Sequence, residues 1–244
     1  MPGEPPDAVT GGLDTVGIRM PNHEIARELI RLAGVPLAAP SANTSGRPSP
    51  TTAQAVLADL QGKIGAVVDG GSCAFGLEST IVDCTSEVPT VLRPGAITLE
   101  MLAGVVGEVK LDPALAGADS KPKAPGMKYT HYAPKAPMIM LEGAKEKMVA
   151  GLLAEIAKAK AEGKKIGAVV SSETAKNLPT DVVTAVYGSR EKVDEIAMNL
   201  YESLRKFDQT DVDVIFAEGT AEVGLGLAVM NRMHKASGYR IINL

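Results

Sequence analysis

"PMIMLEGAKEKMVAGLLAEIAKAKAEGKKIGAVVSS", residues 137–172, decides the fold of the second half of the chain. A short apolar run (137–143) passes into a helical pattern (144–163) and then into a second apolar run (164–172). Met148, Leu152 and Ile156 recur at four-residue steps, so they share one helix face while Lys and Glu occupy the other. Two near-continuous apolar strands flanking an amphipathic helix fit a sheet that is mostly parallel and covered on both faces.

The pattern continues toward the C-terminus. Residues 181–189 read as a strand, 191–209 as a long amphipathic helix, 212–220 as a strand and 226–237 as a helix stopped by Gly238, before a closing "RIINL". The expectation is a small α/β Rossmann-like domain over 138–244. Before it, 111–137 carries five prolines and no helical or alternating period, so it reads as a linker. Its "PGMKYTHYAP" (125–134) sets Lys128, Tyr129, His131 and Tyr132 where no core calls for aromatics, which suggests a lid.

Residues 1–110 read differently. Strands are expected at 14–21, 35–40, 64–71, 79–85 and 89–95, and helices at 23–34, ended by Gly34, and at 51–62, capped by Thr51 or Thr52. This is an α+β pattern. No internal repeat appears at a fixed period.

Bulk properties narrow the classes. The chain has 244 residues, 45% apolar and 22% charged, with no Trp, so aliphatic residues and Met must build the core. A net charge of −4 argues against a broad basic surface for nucleic acid. Cys73 and Cys84 form no C-x-x-C pair and no zinc spacing, and are expected as buried, reduced thiols of a cytoplasmic protein with no metal site of that kind. No run approaches about 20 apolar residues, and the start has no signal-peptide pattern.

Several short motifs carry chemistry. In "GGSCAFGLEST" (70–80) the glycine spacing of a phosphate loop occurs, but Leu77-Glu78 stand where Lys-Ser/Thr is required. "GLGLAV" (224–229) has Val229 in place of the third small residue and reads as a close-packed helix start, the alternative being that Gly224 and Gly226 leave amides free for an anion. "APSANTSGRPSPTT" (39–52) is richer. Pro40, Pro48 and Pro50 stiffen a loop that presents Ser41, Asn43, Ser45, Ser49 and the Arg47 fork just before a helix N-terminus. Such residues also build plain turns by bonding their own backbone, and composition does not choose between the two. With Arg19, Glu78, Ser79, Thr80 and Arg93 at strand ends, the pattern suggests a small acidic or phosphorylated ligand.

"APSANTSGRPSPT", "DGG…G.EST.VD", "LRPGAIT" and "PGMKYTHYAP" are together similar, in order and spacing, to motifs of the threonylcarbamoyl-AMP synthase family (Sua5/YrdC type). "GLGLAVMNRMHKA" resembles the close of that family's C-terminal domain. The resemblance implies a YrdC-like domain over 1–110, a linker or lid over 111–137 and a Sua5-type C-terminal domain over 138–244. It implies a reaction of L-threonine, bicarbonate and ATP, with Mg²⁺, giving threonylcarbamoyl-AMP and pyrophosphate for the t6A modification of tRNA. Carried over by motif, Thr15, Ser41, Asn43, Arg47, Ser49, Arg93 and Tyr129 would meet ATP, and Arg19, Ala39 and Ser79 would meet threonine. No residue is assigned as a nucleophile or general base. A downstream t6A transferase complex is the implied partner, tRNA itself would bind only weakly, and no membrane is involved.

The family's front segment, with its Lys-x-Arg motif, has no counterpart here. The expectation is therefore an incomplete first domain with an exposed apolar sheet edge and face in residues 1–100. The alternatives are a non-catalytic nucleotide- or partner-binding remnant, or the related carbamoyltransferase architecture of hydrogenase maturation. The lack of zinc-finger cysteines counts against the last.

Overall fold

The computed structural model describes residues 7–45, 47–116 and 133–244. They fall into two compact units, divided between Ser41 and Ala42. No helix among the described residues is long and apolar enough to cross a membrane.

The first unit holds α1 (Asp7–Thr10) and α2 (Glu24–Ala33). The His23 Nδ1 accepts a bond from the Ala26 amide at 3.4 Å, and the helix ends where Gly34 turns into the left-handed region at φ 66°. Residues 14–21 and 35–40, expected as strands, form no regular element and have no ladder partner among the described residues. Ile18 is 90% and Met20 85% exposed, and Val35 and Leu37 also face solvent. An apolar run supplies the side chains of a buried strand but not the neighbour whose amides and carbonyls complete it. The apolar exposure expected of this region is present, but on irregular segments rather than on a sheet edge.

In the second unit α3 (Ala53–Leu60) is capped by Thr52, whose hydroxyl accepts from the Ala55 amide at 3.2 Å. Residues 64–71 likewise form no strand. β1 (Ile81–Asp83) pairs antiparallel with β2 (Thr90–Arg93), and β2 pairs parallel with β3 (Lys110–Leu111). Between β2 and β3 lies α4 (Leu99–Val106), capped by Thr98 and unexpected from the sequence. Its apolar face is short and ends at Gly107, so periodicity had little to register.

The remaining elements are β4 (Met138–Glu142), α5 (Lys145–Ala161), β5 (Ile166–Ser171), α6 (Ser172–Ala175), β6 (Val183–Gly188), α7 (Val193–Arg205), β7 (Val214–Glu218), α8 (Leu225–Ser237) and β8 (Ile241–Asn243). The strands form one five-stranded sheet in the order β6-β5-β7-β4-β8, with every pair parallel. Met148, Leu152 and Ile156 of α5 pack on one face against Leu141, Ala168, Val170 and Phe216. Ile196, Leu200 and Leu204 of α7, with Ala228, Val229 and Met233 of α8, pack on the other against Val169, Ala185, Ile215 and Ala217. All six residues of β5 are buried, as a central strand covered on both faces requires. α8 ends at Gly238 in the left-handed region.

One expectation is reversed. Cys73 and Cys84 are free thiols as foreseen, but both are exposed. Cys73 lies in the irregular segment before β1 and Cys84 directly follows β1, and connecting backbone stays at the surface where its polar groups reach water.

Candidate functional site

In the first unit the Arg19 Nη1 donates to the Ala39 carbonyl at 3.1 Å, so two of the three residues assigned to threonine meet directly. Among the described residues Arg19 has no carboxylate partner and spends one donor on a carbonyl, leaving most of its fork available to a ligand. Thr15 and Ser41 are exposed. Tyr129 lies outside the described residues.

In the second unit the proline-rich loop is closed from within by Asn43. Its Nδ2 donates to the Thr44 carbonyl at 2.9 Å and to the Arg47 carbonyl at 3.2 Å, while its Oδ1 is buried with no hydrogen-bond partner among the described residues. Behind the loop sits Asp59 of α3, whose side chain is 0% exposed. The carboxylate accepts from the Thr44 amide at 3.2 Å and from Arg47 Nη1 at 3.3 Å. The Arg205 fork then closes on it through Nη2 at 2.8 Å and Nη1 at 3.2 Å. Nη1 also donates to the Pro48 carbonyl at 2.9 Å. Burial pushes the Asp59 carboxyl up, but the Arg205 bond, the Thr44 amide and the charges of Arg205 and Arg47 outweigh it and hold the group below its usual range.

A second carboxylate, Glu78, organises the other motifs. Ser49 Oγ donates to its Oε1 at 2.8 Å. Tyr201 OH donates to Oε2 at 2.7 Å, and Arg232 Nε to the same oxygen at 2.8 Å. Arg232, 0% exposed, extends Nη2 to the Glu78 carbonyl at 3.1 Å and Nη1 to the Pro94 carbonyl at 2.8 Å. Arg93 Nε donates to the Ser79 carbonyl at 3.1 Å, joining a residue assigned to the nucleotide with one assigned to threonine. Burial pushes Glu78 up, and Arg232, Tyr201 and Ser49 together bring it below its usual range. Lys235 of α8 is buried, and burial with the charges of Arg232 and Arg93 pulls its ammonium down to about 8 against the opposing pull of Glu78.

Two glycines let these segments approach. A Cβ on Gly76 would lie 2.1 Å from the Met198 carbonyl oxygen of α7, where the Gly76 amide donates to the Ala197 carbonyl at 2.8 Å. A Cβ on Gly95 would lie 2.3 Å from the Thr80 amide nitrogen. The glycines rejected above as a phosphate loop therefore include one kept for close packing.

A cavity of about 360 Å³ opens at the C-terminal ends of β4 and β7, lined by Glu142, Lys145, Arg190, Glu218, Thr220 and Met230 among others. Connections from these adjacent strands leave on opposite faces, through α5 and α8, which is where open α/β sheets hold ligands. Glu142, Glu222 and His234 there bring one ligand atom each within 4.8 Å of one another, a possible cation set among the described residues. Glu142 already pairs with His234 Nε2 at 2.5 Å.

Sequence reasoning missed Asp59, Tyr201, Arg205, Arg232 and Lys235. Asp59 and Arg205 were the acidic and basic members of amphipathic helices, with nothing local to mark them as partners 146 residues apart. Arg232 stands in the closing "GLGLAVMNRMHKA", whose resemblance marks the family but attaches no role to the residue.

With this geometry in hand, comparison with known proteins settles the lineage. A family model described as "Threonylcarbamoyl-AMP synthase, C-terminal domain" matches residues 97–238. A threonylcarbamoyl-AMP synthase of Pyrococcus abyssi is 50% identical over 240 residues, 98% of this chain and 68% of that protein. The chain belongs to the threonylcarbamoyl-AMP synthase family. A second family model, described as "Telomere recombination", matches residues 2–95. The Bacillus subtilis threonylcarbamoyl-AMP synthase is 46% identical over 241 residues, 97% of this chain and 68% of its own length. A crystal structure of P. abyssi Sua5 complexed with L-threonine superposes with a TM-score of 0.90 at 51% identity, covering 98% of this chain and 68% of that one.

Proposed function

We propose that this chain is an L-threonylcarbamoyladenylate synthase, converting L-threonine, bicarbonate and ATP into threonylcarbamoyl-AMP and pyrophosphate for the t6A modification of tRNA. The observation that carries the reading is 50% identity over 98% of the chain to a synthase. The proposed domains are 1–110, a linker over 111–137 and 138–244.

The chemistry needs positioning more than a nucleophile from the protein. The threonine amine adds to the carbon of bicarbonate and water leaves, giving a carbamate. A carbamate oxygen then attacks the α-phosphorus of ATP, and the bond to pyrophosphate breaks. Both steps gain from neutralised charge and excluded water. Arg19 would hold the threonine carboxylate with donors not spent on the Ala39 carbonyl, and the family resemblance assigns Ser79 to threonine as well. By the family resemblance, Thr15, Ser41, Asn43, Arg47, Ser49, Arg93 and Tyr129 would meet the nucleotide. The buried Asn43 Oδ1, without a partner among the described residues, is an acceptor suited to an amino or hydroxyl donor of that ligand.

Mg²⁺ would arrive as the counter-ion of the ATP phosphates. Asp59 and Glu78, the carboxylates nearest the loop, are occupied by arginines and do not offer it ligands.

Release of pyrophosphate by the purified chain, dependent on all three substrates, is the test. ATP binding without pyrophosphate release would favour the non-catalytic nucleotide-binding reading instead. Localisation to the cytoplasm and hand-over to a t6A transferase complex rest on the same assignment.

A further inference from the structure

We propose that Arg205, Tyr201 and Arg232, on the two helices covering one face of the five-stranded sheet, are positioning residues for the nucleotide site. The inference rests on the synthase reading and gives those helices a task within it.

Ser49 is held from two sides. Its hydroxyl donates to Glu78, whose other oxygen takes Tyr201 OH at 2.7 Å and Arg232 Nε at 2.8 Å. The carbonyl of the preceding Pro48 takes Arg205 Nη1 at 2.9 Å. One guanidinium thus fixes the backbone of the loop and, through Asp59, the Thr44 amide and Arg47 as well. Arg232 does the same for the other motif, binding the Glu78 and Pro94 carbonyls on either side of the Ser79–Arg93 contact. Partners lie 123 to 157 residues apart, so no local folding preference makes these bonds.

The charge balance points the same way. Asp59 and Glu78 are carboxylates withdrawn from water, and without the arginines of α7 and α8 each would lose its main counter-charge. Prolines stiffen the loop but cannot set its direction, which comes from a fork able to bridge Asp59 and Pro48 at once. Lysine keeps the charge and loses the fork.

Conservative variants separate this role from simple packing. ATP affinity by titration calorimetry and melting temperature are measured for wild type, Tyr201→Phe, Arg205→Lys, Ser49→Ala and the Ser49→Ala/Tyr201→Phe pair. Tyr201→Phe keeps its volume and loses one bond to a charged group, so ATP affinity should fall about 5-fold. Arg205→Lys should lower it by about 10-fold or more, because two bonds are lost. In the Ser49→Ala background Tyr201→Phe should add nothing, since its effect passes through Ser49. A packing role would lower the melting temperature and leave affinity and additivity untouched, which would overturn the inference. Wild-type protein that binds no ATP would overturn the functional reading with it, whereas equal ATP affinity in wild type and variants would overturn this inference alone.

Discussion

Gly76→Ala tests whether the motif loop is seated on α7. The built Cβ lies 2.1 Å from the Met198 oxygen and 2.9 Å from that of Ala197, and both are helix backbone that cannot rotate aside. An ordinary carbon–oxygen contact of about 3.3 Å requires the segment to lift by about 1 Å. Overpacking of this kind costs about 1–3 kcal/mol. Losing the 2.8 Å bond from the Gly76 amide to Ala197 adds about 1 kcal/mol. Gly76 does not have a positive φ, so alanine also removes unfolded-state freedom, which favours folding by about 0.4–1 kcal/mol. The clash wins by about 2 kcal/mol, or a melting temperature lower by about 4–8 °C. Gly65 is the control, with nothing within 4 Å of its built Cβ and no positive φ, so Gly65→Ala should be neutral or slightly stabilising. Scanning calorimetry reads both. A Gly76→Ala protein that melts at or above wild type would refute the docking of this loop on α7.

Further outcomes follow from the same contacts. Leu152→Ala, at a fully buried position under the sheet, should cost about 2–5 kcal/mol in denaturant unfolding. Asp59→Asn should cost about 3 kcal/mol at neutral pH, because Arg205 and Arg47 keep their charge and lose its partner. The folded Asp59 and Glu78 carboxyls are both held below their ordinary values, so their contribution is complete above the usual carboxylate range. It disappears as the pH falls through the lowered folded values, and Asp59→Asn should flatten that acid limb of a melting-temperature titration. Lys235, drawn down to about 8, gives the opposite trend: the unfolded chain binds more protons between that pH and about 10.4, so stability rises with pH across this window. Lys235→Met should abolish the rise. Cys73 and Cys84 should both react with an aromatic disulfide reagent in the native protein.

The five-stranded layer was legible because its information is local. Met148, Leu152 and Ile156 mark one face by spacing alone, and the alternation of strands with helices leaves few arrangements that bury those faces. Residues 14–21, 35–40 and 64–71 carry equally strand-like side chains and form no strand among the described residues, because a ladder is a property of two segments. Proline, serine and arginine content singled out the loop around Ser49, and the order of motifs pointed to the family. Which acid meets which arginine was not written locally: Asp59 with Arg205 and Glu78 with Arg232 are matched only when α7 and α8 pack against the loop. The sequence by itself determined where chain direction and burial must alternate. Tertiary structure alone decided which charges share a low-dielectric junction, since that depends on distances set by packing rather than on spacing along the chain.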